Sequence, residues 1–519
     1  MEVHKHEPAQ VINFSLRFEQ MCSMVAIGQV RSADETVRCL ILQCLAFLPS
    51  EKFYDENGFF QALNDLFGLA IPKYEISYAV DRLLADESLH RSEIGHFLLS
   101  KKIAEEIQSS IEQAHMLESQ VRSNWEAEIA SSYPRLSFNL AWESLRNYLA
   151  RAFQRHGMQT IALLDPVVEN QNHYLDSLSE LLEQAIGCFP PDTHQDLKNA
   201  VTGFLATSGD YNERASYISQ LADGAFNYFS LTIDYDIAEQ FRKNLSPLTI
   251  FLDTNFLFGI LDLDVNPQVA VSNELLNVIK KFGFPFRLVH HEKTEEELLS
   301  SIAHYEDLLK SRHWSQDISR AASSSRFLSG VEKKYHKQFA ETGVDAATFF
   351  RPYKHADVIL EERAIEKFIP ENERLEERAE LINEYMKFLK ERGREKSYKL
   401  IDHDMTVLDL TRQLRSECKS TLEAGALFLT RDYFLYRFDW ESSISTGKLP
   451  CTVLPNLFWQ ILRPYVPSDV DFSRSFAETF AIPEFRTIGS GANEAGSKML
   501  NILASYKNFP EETAARMLS

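Results

Sequence analysis

Hydrophobic positions follow two different spacings along the chain. Through about residue 245 they recur three and four residues apart, which is typical of amphipathic helices. After Ser246 and Pro247 they gather into short β-branched and aromatic runs, each followed by another helical pattern. The sequence therefore predicts a mainly α N-terminal half and an α/β C-terminal domain with a parallel, Rossmann-like sheet over residues 246–466.

The first part of the chain, residues 1–102, contains three helical patterns and then two short strand-like pieces. This order resembles a winged helix-turn-helix, in which the third helix would enter a DNA groove and Arg91 and His96 of the wing would approach phosphate. Glu75 and Asp81 on that third helix oppose phosphate contact. A role in binding protein or in oligomerisation is the alternative, and it is favoured.

Residues 103–245 are long helical patterns separated by prolines. Their aromatic and leucine residues have the spacing of buried core positions, so this part is interpreted as an α-helical connector or dimerisation domain, and we expect a homo-oligomer. Residues 467–519 form a C-terminal tail that contains a Gly- and Ser-rich stretch of linker composition. The tail is a second candidate site for a partner.

Charge and cysteine content limit the classes of function. The 519-residue chain has a formal net charge of −21, so any contact with nucleic acid must come from a local basic patch. The N-terminus lacks the basic and apolar regions of a signal peptide, and the longest apolar stretch is too short and too polar to span a membrane. We expect a cytoplasmic protein without membrane contact. Neither C-x-x-C nor H-E-x-x-H occurs, which argues against the usual zinc sites.

Acidic residues follow two of the predicted strands. The run from Leu248 ends in Asp253-Thr254-Asn255, and the run from Ala426 ends in Thr430-Arg431-Asp432. The carboxyl ends of parallel strands form the edge at which open α/β sheets bind their ligands. We therefore expect Asp253 and Asp432 to lie at one edge of the sheet.

A third carboxylate is predicted just after the strand at residues 284–291. The helix that follows begins with Thr294 as its expected N-cap and carries three adjacent glutamates. Glu297, which precedes a leucine, is the best candidate for the site, and Glu296 is the alternative. Glutamates are also favoured in this place by the helix dipole alone.

The fourth carboxylate is predicted in the first turn of an amphipathic helix over residues 401–412. Asp404 fits the register better than Asp402. A last strand at residues 451–455, followed by a helix, completes the expected sheet.

These four acidic positions, in this order and on these elements, resemble the PIN-domain family of metal-dependent nucleases. The resemblance covers residues 248–300 and 398–463. It implies that Asp253, Glu297, Asp404 and Asp432 bind Mg²⁺ or Mn²⁺ and are catalytic. It also implies that Asn255 and Thr430 orient carboxylates or the scissile phosphate, and that hydrolysis leaves a 5′-phosphate and a 3′-hydroxyl.

Elementary electrostatics supports a cation at such a site. Carboxylates a few Å apart raise one another's pKa and cannot all ionise without a positive charge between them. Hard divalent ions accept carboxylate oxygens and retain water, and a water bound to the ion can attack a phosphodiester.

The chain departs from the family pattern in a predicted helical insertion at residues 300–398. Residues 310–354 are net positive and mix basic with aromatic side chains, which is typical of nucleic-acid contact. Arg312, Lys333 and Lys334 are the candidate substrate contacts, although a solvated helical face is an equal alternative. The alternating charges of residues 361–396 predict an exposed helix or lid.

The sequence thus favours a Mg²⁺- or Mn²⁺-dependent endoribonuclease, regulated by its N-terminal domains or by a protein partner, as in a toxin or defence effector. RNA is favoured over DNA because it is the commoner substrate in the family. A DNA-cleaving nuclease and a non-catalytic PIN scaffold are the alternatives. A haloacid-dehalogenase-like phosphatase is disfavoured, because it requires a second aspartate where this chain has Asn255. His290, His291 and His403 flank the acidic positions but are not predicted to act in catalysis.

Overall fold

The computed structural model describes most of the chain between residues 33 and 462 and short pieces of the C-terminal tail. The described residues are 33–67, 71–164, 178–230, 246–264, 267–325, 328–370, 375–415, 423–446, 448–462, 474, 477, 498–500, 502–504 and 510–518. The chain divides into two compact units, of which the first holds most of residues 1–242 and the second holds residues 243–461 and the end of the tail. The Gly- and Ser-rich part of the tail, residues 489–497, lies outside the described residues.

The described part of the first unit starts with the predicted order of three helices and a hairpin. These elements are α1 (Ala33–Phe47), α2 (Glu56–Phe67), α3 (Lys73–Ala85), β1 (Leu89–Arg91) and β2 (Phe97–Leu99). The two strands are antiparallel, with His90 opposite Leu98. Arg91 folds back over this hairpin, because its guanidinium donates to the Gly95 carbonyl at 3.3 Å and lies over the Phe97 ring. DNA binding stays the less favoured of the two predictions for this module, and a role in binding protein or in oligomerisation stays the favoured one.

After the hairpin, the described residues of the first unit are mainly helical, as predicted. Its helices are α4 (Lys101–Ser132), α5 (Phe138–Leu164), α6 (Leu178–Ile186), α7 (His194–Ala206) and α8 (Asn212–Ser230). Trp125 of α4 is fully buried, and its ring centroid lies 5.9 Å from that of Phe138 and 4.9 Å from that of Phe204. The aromatic spacing therefore marks a core, as the pattern indicated.

The second unit is built on a five-stranded, all-parallel sheet. Its strands are β3 (Leu248–Leu252), β4 (Phe286–His291), β5 (Ile365–Phe368), β6 (Ala426–Leu429) and β7 (Thr452–Val453), in the order β5-β4-β3-β6-β7. This sheet agrees with the predicted α/β fold. The chain runs outward from β3 to β5 and then returns to β6 on the other side of β3. The switch in strand order lies between β3 and β6, which is where open parallel sheets form their ligand crevice.

Helices pack on this sheet and form most of the rest of the described part of the second unit. They are α9 (Thr254–Ile260), α10 (Pro267–Phe282), α11 (Glu292–Lys310), α12 (Gln316–Ser323), α13 (Gly330–Thr342), α14 (Ala346–Phe350), α15 (Ala356–Glu362), α16 (Leu375–Glu391), α17 (Tyr398–Gln413), α18 (Tyr433–Ser445), α19 (Pro455–Leu462) and α20 (Glu511–Leu518). One face of the sheet, with Phe251, Val289 and Phe428, packs against α16, α17 and α18. None of the described helices is long and apolar enough to cross a membrane.

The insertion is not wholly helical, and its second half was predicted only in part. Residues 365–368 form the edge strand β5, in which Ile365 pairs with Leu288 of β4. The preceding helix ends at Glu362, and Ala364 has a φ of 61°, which no helix can continue. The alternating charges do not predict a strand here, because two of its residues face solvent and only Ile365 is fully buried.

Tyr335 and Trp314, two aromatic residues of the basic segment, contact other residues of the insertion. Tyr335 is buried, and its ring contacts those of Phe339 and Phe349. Trp314 donates its Nε1–H to the Leu309 carbonyl at 2.8 Å. Because Tyr335 is buried, its ring is not placed to contact nucleic acid.

The C-terminal helix α20 packs on this same insertion. Ala514 of α20 is buried in a cluster with Ile318 and Ala322 of α12. An ion pair of 3.0 Å joins Arg320 to Glu511. The described end of the tail thus contributes to the core of the second unit.

Candidate active site

Asp253 and Thr430 face each other at the switch point of the sheet. Asp253 follows β3 directly and caps α9, because its Oδ1 accepts from the Thr254 N–H at 2.8 Å. Thr430 follows β6, and its hydroxyl donates to Asp253 Oδ2 at 2.7 Å. Both residues are buried. The predicted meeting of these two strand ends is therefore present.

Glu297 joins this edge from the second turn of α11. Its Oε2 accepts from the Thr254 hydroxyl at 3.0 Å, whereas Glu296 is exposed. The geometry favours Glu297 over Glu296. The helix begins earlier than predicted, because His291 rather than Thr294 is the N-cap and accepts from the Lys293 N–H through its ring.

Asp404 is linked to Glu297 through His403. The Nδ1 atom of His403 lies 3.1 Å from Asp404 Oδ1 and 3.1 Å from Glu297 Oε2. The other ring nitrogen lies 2.9 Å from the Thr294 hydroxyl oxygen. Asp402, the alternative, instead pairs with Lys293 at 2.6 Å.

The helix that carries Asp404 also starts earlier than predicted. Ser397 caps α17, so Asp404 lies in the second turn rather than the first. The serine supplies a better N-cap than the isoleucine at the predicted start.

Asp432 completes the group at the start of α18. Its Oδ1 accepts from the Phe434 and Leu435 N–H groups at 2.8 and 3.1 Å, and its own N–H donates to the Thr430 hydroxyl at 3.0 Å. Its Oδ2 lies 2.8 Å from Lys396 Nζ, and the same ammonium also contacts Asp404 Oδ2. All four predicted carboxylates are thus connected through shared partners.

The environment separates these carboxylates by pKa. Burial raises the pKa of Asp253, and the nearby charge of Asp404 adds to this. Burial also raises the pKa of Glu297. For Asp432, burial acts in the same sense, but the ammonium of Lys396 and two backbone N–H groups outweigh it and lower the pKa.

In His403 and Lys396, the two basic side chains of the site, burial acts to lower the pKa and the carboxylates act to raise it. Burial acts to lower the pKa of His403, but the hydrogen bond to Asp404 and the charges of the carboxylates outweigh it and raise the pKa. Burial also opposes the charge of Lys396, yet Asp432 and Asp404 hold its pKa well above the ordinary value. The site therefore favours positive charge at its centre.

Comparison with known proteins adds no relative. No protein-family model, no curated protein and no solved structure matches this chain. The resemblance to PIN nucleases accordingly stays an interpretation of these residues and of their places in the sheet.

The donor atoms fit Mg²⁺ or Mn²⁺ in kind, because the predicted ligands are all carboxylate oxygens. As arranged, no group of three or more His, Cys, Asp or Glu side chains in the described part of the chain could hold a metal ion. Lys396 and His403 lie between the carboxylates instead. The cationic side chains occupy the kind of position that a metal ion would take.

The other predicted contacts lie farther from this group. Asn255 is exposed at the start of α9, next to the site, and its carbonyl accepts from Arg431 at 3.0 Å. Arg312 is exposed beyond the end of α11, about 20 Å along that helix from Glu297. Lys334 pairs with Asp262 at 2.8 Å, and Lys333 lies beside it on α13. These basic residues are not part of the carboxylate group.

Three residues of the site were missed by sequence reasoning. His403 flanks the acidic positions but is given no catalytic role by the sequence interpretation, although its place directly before Asp404 is a usable signal. Thr254 stands within the Asp-Thr-Asn motif but was given no role. Lys396 gave no signal, because it ends a run of alternating charges in which every lysine looks solvated.

Proposed function

We propose that this chain is a Mg²⁺- or Mn²⁺-dependent endoribonuclease with Asp253, Glu297, Asp404 and Asp432 as its active site. One observation carries the proposal. The four carboxylates come from separate elements of the sheet domain and meet at the carboxyl edge, beside the switch between β3 and β6. A purely structural core has no reason to collect acidic groups that raise one another's pKa.

The four carboxylates would hold the ion, which when bound activates a water and stabilises the negative charge on the leaving oxygen. The protein's other side chains fix the carboxylates. Thr430 and Thr254 donate hydroxyl hydrogen bonds to Asp253 and Glu297. Such fixed orientation is what a catalytic carboxylate requires before substrate arrives.

The substrate is proposed to be RNA and to approach along the exposed rim of this edge. Asn255 lies there, next to Arg431, whose guanidinium donates to the Asn255 carbonyl. Arg312, Lys333 and Lys334 would contact more distant parts of a long substrate. Regulation by the N-terminal domains or by a partner protein is part of the same proposal.

Cleavage assays with the full chain test the proposal. Labelled RNA, single-stranded DNA and double-stranded DNA are incubated with wild type, Asp253→Asn and Asp262→Asn, in EDTA and then in Mg²⁺ or Mn²⁺. Asp262 is the matched control, because it is an exposed aspartate paired with Lys334 just beyond α9. We expect metal-dependent cleavage of RNA by wild type and Asp262→Asn only. Cleavage confined to DNA would show that the substrate is DNA rather than RNA. Cleavage by Asp253→Asn at the wild-type rate would show that the site is assigned to the wrong residues.

A further inference from the structure

Lys396 is the only basic residue in the described part of the chain that bridges two of the four carboxylates through an ammonium group. Its Nζ lies 2.8 Å from Asp432 Oδ2 and also contacts Asp404 Oδ2. These two aspartates come from different elements, because Asp404 lies within α17 and Asp432 comes after β6. The ammonium therefore joins two sides of the site from a position between them.

The segment that carries Lys396, residues 392–397, is fastened to α18. Arg392 donates from Nη2 to both carboxylate oxygens of Glu441, at 3.0 and 2.8 Å. The guanidinium of Arg394 lies 4.8 Å from the centre of the Phe434 ring. Three basic side chains spaced two residues apart thus all contact α18 or the aspartate before it. The position of Lys396 is built into the fold rather than being one conformation of a free surface lysine.

A divalent ion and this ammonium need the same oxygens. Each carries positive charge to Asp404 Oδ2 and Asp432 Oδ2, and two cations that share these atoms would repel each other strongly in a half-buried site. In the described part of the chain no three His, Cys, Asp or Glu side chains are arranged to hold a metal ion, and Lys396 contacts two of the candidate ligands. Metal binding must therefore move Lys396 off at least one aspartate.

We propose that the ammonium of Lys396 is the resting counter-cation of this site and that a divalent metal ion binds to Asp404 and Asp432 by displacing it. This inference rests on the proposed function for its assignment of a metal site. While no metal is bound, Lys396 neutralises the charge of these carboxylates and stabilises the folded site. Because the metal must displace it, Lys396 also sets the metal concentration at which the site fills. The insertion, from which residues 392–397 come, thereby controls metal loading.

Binding of Mn²⁺ alone, without RNA, tests the proposal. Isothermal titration of the full chain with Mn²⁺ is compared for wild type, Lys396→Met and Lys399→Met. Methionine keeps the length of the side chain and removes the charge, and Lys399 is an exposed lysine three residues away that contacts only Ser300 among the described side chains. We expect Lys396→Met to bind Mn²⁺ at least about tenfold more tightly than wild type, because no ammonium has to be displaced, and Lys399→Met to match wild type. Equal or weaker binding by Lys396→Met would overturn the proposal.

Thermal melting keeps the proposal testable if Lys396→Met is unstable. The variant should melt below wild type in EDTA and gain more from Mn²⁺, because a ligand that binds the folded state more tightly stabilises it more. If the variant unfolds in EDTA, refolding in Mn²⁺ is the expected result, and failure to refold at any Mn²⁺ concentration would contradict the proposal.

The two proposals fail separately. Tighter Mn²⁺ binding by Lys396→Met without any cleavage of nucleic acid would support the counter-cation and reject the nuclease. Metal-dependent RNA cleavage with equal Mn²⁺ affinities would do the opposite.

Discussion

The Thr430 hydroxyl donates a hydrogen bond to Asp253 Oδ2 at 2.7 Å and so ties the end of β6 to the end of β3. The oxygen of the Thr430 hydroxyl also accepts from the Asp432 N–H at 3.0 Å. One hydroxyl thus positions two of the four carboxylates, at the point where the strand order reverses. This contact links the fold directly to the proposed chemistry.

Removal of that hydroxyl should impair cleavage more than folding. Thr430→Val keeps the shape of the side chain but leaves Asp253 Oδ2 without its donor, at a cost of about 1–3 kcal/mol in stability. We expect the rate of RNA cleavage to fall by about a hundredfold, as for loss of one catalytic hydrogen bond. Thr430→Ser is the control and should keep most activity. Wild-type cleavage by Thr430→Val would show that the hydroxyl has no catalytic role.

Neighbouring acidic residues offer a test of register. Glu297→Gln and Asp404→Asn alter carboxylates that contact His403, whereas Glu296 is exposed and Asp402 pairs with Lys293. We expect the first two variants to lose at least about a hundredfold in cleavage rate. Glu296→Gln and Asp402→Asn should stay within about threefold of wild type. The assignment is refuted if either control loses as much activity as its neighbour.

Without metal, replacing Asp253 and replacing Asp432 should change the melting temperature in opposite directions. The pKa of Asp253 is raised above its ordinary 3.8, so its stabilising contribution is complete below about pH 4 and is lost as pH rises through the folded pKa. The pKa of Asp432 is lowered, so its contribution is present above pH 3.8. At pH 7 in EDTA, Asp253→Asn should melt about 2–4 °C above wild type and Asp432→Asn below it. Differential scanning calorimetry measures both, and shifts of the same sign would contradict the account.

A buried histidine in the insertion should make stability depend on pH. Burial lowers the pKa of His336 from 6.5 to about 3, and its ring lies 3.1 Å from the Ser319 hydroxyl. Between these pH values only the unfolded chain binds the proton. The free energy of unfolding should therefore fall as pH drops below 6.5, by up to about 1.4 kcal/mol per pH unit. Urea denaturation at several pH values gives the free energy of unfolding as a function of pH. This free energy should change less with pH for His336→Gln than for the exposed-site control His313→Gln. Equal pH dependence of the two variants would be inconsistent with this burial.

The α/β sheet was predictable because two of its inner strands, β3 and β6, are short and almost fully apolar runs. Leu248–Leu252 and Ala426–Leu429 are buried nearly throughout, as strands covered on both faces must be. Strand β5 was not predictable in this way. It lies at an edge, where Glu366 and Lys367 face solvent and leave no apolar run.

The site was predictable where a residue follows a strand. Asp253 and Thr430 come directly after β3 and β6, so parallel pairing alone brings them together. Lys396 could not be found in this way, because it ends the alternating charges of residues 361–396. That pattern predicts an exposed helix, whereas α16 packs one face on the sheet. Its role depends on tertiary contacts of Arg392 and Arg394 with α18.

The central claim is that the four carboxylates form a metal-dependent nuclease site. Its most direct test is the cleavage rate of one labelled RNA by wild type and Asp253→Asn over a range of Mn²⁺ concentrations, with EDTA as the baseline and Asp262→Asn as the control. The account predicts that wild type and the control cleave only with Mn²⁺, leaving 5′-phosphate ends, and that Asp253→Asn is at least about a hundredfold slower. Cleavage that persists in EDTA, or that is unchanged in Asp253→Asn, would contradict it.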